Sequence, residues 1–166
     1  VDRVPVQTFV LEHEDEVLFE AMRRELRRGG QVFYLHNFID SIYSKAAQIR
    51  NIFPDSIVAV AHGRMDKEEL SDVWSDMVDG RIDILVCTTI IESGVDISNV
   101  NTIIIHAAQN YGLSDLHQLR GRVGRSNRKA YCYLVTPDRE LLTSDARRRL
   151  DALTTFAELG AGFQLA

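Results

Sequence analysis

No Gly-Lys dipeptide occurs anywhere in these 166 residues. A nucleotide hydrolase that works alone needs a glycine-rich loop ending in Gly-Lys-Ser/Thr to cradle phosphates, with an acidic pair to hold Mg²⁺. The first apolar run, Val4–Leu11, is not followed by Gly-x-Gly-x-x-Gly, which excludes a self-contained dinucleotide enzyme. No apolar run approaches membrane-spanning length and no signal peptide opens the chain, so no membrane role is expected. Only two cysteines occur, Cys87 and Cys132, each inside an apolar run. They read as small buried hydrophobes in a reducing compartment, not as a disulfide. His36, His62 and His106 fall on separate strands without Glu-x-x-His or Cys-x-x-Cys companions, so no metal site is expected.

What is present fits one globular domain with a full core: 45% hydrophobic and 26% charged residues. A net charge of −5 excludes a generic nucleic-acid sponge, so any nucleic acid must meet a local patch. The start at Val1 suggests a piece of something longer.

Strand-like and helix-like segments alternate throughout. Apolar β-rich runs lie at Val4–Leu11, Gln31–His36, Ile57–His62, Ile82–Thr88, Thr102–His106 and Ala130–Thr136. Most are near-continuous, as strands buried on both faces of a parallel sheet should be. Between them, Glu14–Arg28, Phe38–Ile52, Asp66–Val78 and Asp138–Leu159 carry apolar residues at helical spacing. Gly29-Gly30 is a helix stop, and Asp66 with Glu69 forms a capping-box pattern. Arg23, Arg24, Arg27 and Arg28 read as a solvated face, and Trp74 as core or half-buried. The expected class is α/β: a doubly wound, mostly parallel sheet with helices on both faces.

In such a sheet, ligands collect beyond the carboxyl ends of the strands. The residues there are His36-Asn37, His62-Gly63-Arg64, Thr88-Thr89 and His106. Two blocks carry more. Gln118–Arg125 holds three arginines and two glycines. Arginine presents a planar fork of donors that matches phosphate oxygens, and Arg122 and Arg125 share a side if this stretch is a helical turn. The alternative is a solvated basic face. Thr88–Ile97 offers two hydroxyls at a strand end, room at Gly94 and a carboxylate at Asp96 placed to accept from a ribose hydroxyl. Its alternative is an ordinary βα turn with Asp96 as a helix cap.

Thr88–Ile97 resembles motif V, and Gln118–Arg125 motif VI, of superfamily 2 helicases and translocases. His62-Gly63-Arg64-Met65 resembles the histidine–glycine turn between motifs IV and V. The opening Val4-Pro5-Val6-Gln7-Thr8, the run Ile90–Ile97 and the ending Glu158–Phe163 resemble the bacterial transcription-repair coupling factors over essentially the whole chain. Branch-migrating fork helicases share motifs V and VI and the Gly-Phe ending. Two departures are Ser98, where proline is common, and His117, where an aromatic often stands.

The resemblance implies a RecA-like helicase C-terminal domain, the second of two motor domains, over residues 1–157. Residues 158–166 would begin a translocation motif. Arg122 and Arg125 would reach the γ-phosphate of ATP, which the first RecA-like domain holds with Mg²⁺. Gln118 would link that cleft to neighbouring motifs, Asp96 would hold the ribose, and Gly94 and Gly121 would make room. His62, Gly63, Arg64, Thr88 and Thr89 would touch the phosphates of one strand of double-stranded DNA. Arg120 has no assigned role. RNA polymerase and excision-repair proteins would be partners through other domains, in the bacterial cytoplasm. The isolated domain is expected to be inactive. Two rivals stay open: the motor of a fork-reversing helicase, and a non-catalytic nucleic-acid-binding module.

Overall fold

The apolar runs become six strands: β1 (Val6–Glu12), β2 (Gln31–Leu35), β3 (Val58–Ala61), β4 (Ile84–Cys87), β5 (Val100–Ile105) and β6 (Ala130–Thr136). They pair as one all-parallel sheet in the order β1-β6-β5-β2-β4-β3. The structure is a computed structural model that describes residues 5–89 and 96–165, with side chains through Thr154. Among the described residues five α-helices accompany the strands: α1 (Asp15–Arg27), α2 (Ile39–Ile52), α3 (Lys67–Val78), α4 (Leu113–Arg120) and α5 (Ser144–Leu165).

Side chains alternate across a strand, so each inner strand feeds two cores. Phe33, Leu35, Leu85, Ile103 and Ile105 pack with Met77 of α3, Leu116 and Leu119 of α4, and Leu150 and Leu153 of α5. Val32, Tyr34, Ile84, Val86 and Ile104 pack with Leu18 and Met22 of α1 and with Ile42, Ala46 and Ile49 of α2. Helices therefore cover both faces, as the near-continuous apolar runs require. Each fully buried Leu, Ile or Met contributes about 1.5–3 kcal/mol of transfer free energy. Cys87 and Cys132 are free and buried within this core. Burial raises both thiols, Cys132 to about 12, so neither is a thiolate at neutral pH.

Local signals explain the element ends. Asp66 Oδ1 accepts from the Glu69 backbone N–H at 2.8 Å and starts α3. Gly29 stops α1 at φ +81°, a conformation costly to any other residue. Trp74 is half-buried and meets Phe33 edge-on at 6.4 Å. The last helix differs from expectation. A 3₁₀ turn at Arg139–Leu141, capped by Asp138, precedes it, and α5 starts only after Thr143, whose hydroxyl accepts from the Ala146 N–H at 3.1 Å. Its backbone runs on to Leu165; the side chains of the expected translocation-motif start, 158–166, lie outside the described residues.

Arg28 departs from the expected solvated arginine face. Its guanidinium donates to both carboxylate oxygens of Glu25, at 2.6 and 2.7 Å, and to the Lys129 carbonyl at 2.6 Å. Glu25 is 1% exposed and also accepts from the Thr102 hydroxyl at 2.6 Å, tying α1 to β5 and to the entry of β6.

Candidate functional site

At the carboxyl edge of the sheet, the segments leaving β2, β3 and β4 enclose a groove of about 670 Å³. One wall is Asn37 and the first residues of α2, Phe38 to Ser41; the other is Gly63, Arg64, Thr88 and Thr89. Four residues expected to meet nucleic-acid phosphates thus share one surface. Gly63 and Arg64 are exposed, Thr89 is half-buried, and Thr88 is buried. The Asn37 side-chain oxygen accepts from the Thr89 N–H at 3.4 Å, bridging the two walls.

His62, the fifth, is 8% exposed and does not line the groove. Its Nδ1 accepts the Arg64 backbone N–H at 3.1 Å, so the ring proton sits on Nε2, which lies 2.9 Å from the Tyr43 hydroxyl and donates to it. The imidazole therefore shapes the Gly63-Arg64 turn from behind. Tyr43 projects from α2, and sequence alone gave no signal for this long-range partner.

The arginine block is not one helical turn. Helix α4 ends at Arg120, Gly121 caps it, and Gly124 at φ +78° turns the chain. Arg122 and Arg125 fall in this post-helical turn, so their spacing reflects a loop rather than a helix face. Arg125 is fixed twice: Nε donates to the Gly121 carbonyl at 2.9 Å, and Nη1 lies 2.7 Å from Asp96 Oδ2 as an ion pair. Arg122 is half-buried, while Gln118 is exposed on α4. Asp96 is 65% exposed, so its carboxylate faces Arg125 on one side and solvent on the other. Gly94 lies outside the described residues. Gly121 and Gly124 line a hollow of about 330 Å³ with Pro5, Val6, His117, Arg120 and Val123.

Arg120 is a tether. Its Nη1 lies 3.4 Å from both the Thr8 hydroxyl and the Leu153 carbonyl, and its Nη2 is 2.9 Å from His117 Nδ1. It joins α4 to β1 and α5. Arg149 plays a similar part, donating to the Tyr111 and Gln109 carbonyls at 2.9 Å and holding the loop before α4.

The remaining strand-end histidines stack on each other. His36 and His106 have ring centroids 5.0 Å apart at 24°, with His13 and Phe38 edge-on to His106. Desolvation, then the neighbouring His106 and Lys45, lowers His36 to about 4; desolvation, then His13 and Lys45, lowers His106. Both are neutral at pH 7. Among the described residues no group of His, Cys, Asp and Glu could hold a metal ion, and no helix is long and apolar enough to cross a membrane.

The helicase conserved C-terminal domain family matches residues 15–127. The transcription-repair-coupling factor of Staphylococcus haemolyticus is 50% identical over 99% of this chain, and that of Haemophilus influenzae 51% over 99%. The chain spans about 14% of the length of these curated relatives. Among solved structures, RecG bound to a three-way DNA junction is 36% identical with a TM-score of 0.77, over 95% of this chain and 22% of that one. Domain 2 of the DEAD-box helicase Mss116p, bound to an RNA duplex, shares the fold at 19% identity and a TM-score of 0.71, covering 90% and 60%. The fold is that of RecA-like helicase C-terminal domains.

Proposed function

The chain belongs to the helicase conserved C-terminal domain family, and from that premise we propose that it is the second motor domain of an ATP-dependent double-stranded DNA translocase. The parent protein displaces RNA polymerase stalled at DNA lesions and recruits nucleotide excision repair, in the bacterial cytoplasm. One observation carries the motor reading: an arginine turn paired with Asp96, and a hydroxyl-lined groove at the carboxyl edge of the sheet, occur in a chain without a Gly-Lys phosphate loop. Such a domain serves a nucleotide that a neighbour binds.

ATP and Mg²⁺ belong mainly to the first RecA-like domain of the same polypeptide, which has the task of cradling phosphates and metal. When bound, ATP supplies the phosphoanhydride whose hydrolysis drives movement. This chain's residues fit the complementary part. Arg125, oriented by Asp96 and the Gly121 carbonyl, keeps N–H donors for a terminal phosphate, and Arg122 in the same turn adds a second guanidinium. Charge that develops in phosphoryl transfer is then met by preorganised donors; such fingers supply about 10³–10⁵ in rate elsewhere. The outer oxygen of Asp96 takes the ribose, and Gln118 reports to neighbouring segments. Gly63, Arg64, Thr88 and Thr89 grip the phosphates of one strand, positioned by His62, so no base sequence is read.

Identity near 50% over the whole chain to transcription-repair-coupling factors, against 36% to RecG, favours polymerase displacement over the fork-helicase reading. The discriminating experiment presents the full-length protein with an RNA polymerase halted on duplex DNA. ATP-dependent release of the transcript is the expected result. Reversal of a model fork with the polymerase left in place would install the rival instead.

A further inference from the structure

The groove's two walls differ in chemistry. Among the described residues lining it, Arg64 is the only cation and Asp40 the only anion, and they stand on opposite walls. Hydroxyls and a guanidinium on the turn side suit phosphate oxygens. The α2 side offers Asp40, which repels phosphate, the polar ends of Asn37 and Ser41, already engaged with Thr89 and His36, and the ring of Phe38, 42% exposed. A strand whose phosphates follow the turn side therefore shows its sugars to Phe38.

Phe38 also breaks a local rule. It occupies the N-cap of α2, where Ser, Thr, Asp or Asn would accept a first-turn N–H, and it makes no side-chain cap. Nor does it gain full burial in exchange. Its ring is nonetheless held, edge-on to His36 at 5.4 Å and 68° and to His106 at 5.7 Å and 76°. Both histidines are neutral at pH 7, so this pad is uncharged rather than cationic. A position that sacrifices its cap and leaves a fixed aromatic face in a polar groove is arranged for a ligand.

We propose that Phe38 is a sugar-facing contact through which the groove selects a 2′-deoxy backbone over a ribose one. This rests on the groove being the nucleic-acid track. A C2′ methylene loses water favourably against the ring; a 2′-hydroxyl there loses hydrogen-bonding water and finds no acceptor in the ring.

The test uses full-length protein and anisotropy titrations on three duplexes of one sequence. One is all DNA; in the others one strand is RNA or 2′-fluoro RNA, which share A-form shape but differ in the hydroxyl. Wild type should bind the 2′-fluoro hybrid about tenfold tighter than the RNA hybrid, the factor expected when one polar group is desolvated unpaired. Phe38→Ser, which supplies the missing cap and so should fold at least as stably, should bring that ratio close to one. Phe38→Leu, still apolar, should keep most of it. An unchanged ratio in Phe38→Ser, while Arg64→Ala weakens binding, overturns the Phe38 role alone. Unchanged binding in Arg64→Ala removes the track, and the Phe38 role with it. Tighter binding of the ribose hybrid would mean Asp40 takes the hydroxyl, and also overturns the proposal.

Discussion

Arg125 and Asp96 form an ion pair at 2.7 Å, joining the turn after α4 to the segment that follows β4. From sequence alone, Arg125 suits a phosphate and Asp96 a ribose hydroxyl. The structure places them in each other's reach. Since Asp96 is 65% exposed, the pair adds little to folding, about 0–1 kcal/mol. Its effect is to orient a guanidinium.

Asp96→Asn should therefore leave the thermal midpoint of the domain nearly unchanged. ATP hydrolysis by the full-length protein should fall about 10- to 100-fold, as expected for a misplaced catalytic group. Steady-state ATPase beside a melting curve checks both halves. A large drop in melting temperature with normal turnover would make the pair structural instead.

Glu25 behaves in the opposite way. Its carboxylate is 1% exposed and bonded to Arg28 and Thr102. Glu25→Ala should cost about 2–4 kcal/mol, below the upper range for broken buried pairs because Arg28 keeps some solvent. Gly30→Ala should also destabilise, since a Cβ there would stand 2.0 Å from Glu25 Oε2 and displace a carboxylate fixed by those bonds. The two substitutions should be non-additive in a denaturant double-mutant cycle.

Tyr43→Phe removes the hydroxyl that receives the His62 Nε2 proton. Loss of one such hydrogen bond corresponds to a factor of about 2–10 in equilibrium terms. DNA affinity of the full-length protein should weaken by that factor as the Gly63-Arg64 turn loosens, with hydrolysis at saturating DNA unchanged. Equal DNA affinity would mean that the turn holds its shape without the relay.

The histidine stack predicts an acid sensitivity. His36 titrates at about 4 when folded and near 6.5 when unfolded, and His106 is shifted the same way. Between those values the unfolded chain binds more protons, so stability should fall as pH drops from about 6.5 to 4 and stay level with respect to these groups above 6.5. Urea midpoints at pH 7 and 4.5 measure the loss. His36→Asn should shrink it.

Much of this was legible in the sequence. Ala130–Thr136 forms β6 with the boundaries its apolar run suggested, and Asp66 and Gly29 act as the cap and stop their chemistry dictates. What stayed hidden depends on partners far along the chain. Glu25 and Arg28 look like a solvated i,i+3 pair; only Thr102 and Lys129, brought in by the sheet, make them buried. Helix α4 was masked because its glycine- and arginine-rich continuation carries the chemistry, and Gly121 and Gly124 end it earlier than the arginine spacing suggests. The Asn37–Ser41 wall became visible only when β2, β3 and β4 were set side by side.

On the proposed reading, this domain lends guanidinium groups to an ATP held by its neighbour. Single-turnover hydrolysis by the full-length protein on saturating duplex DNA reads that contribution without interference from product release. Arg122→Ala and Arg125→Ala should each slow phosphate formation by about 10³-fold or more while DNA affinity is retained. Formation at close to the wild-type rate in either variant would contradict the assignment of that arginine, and in both would end the account.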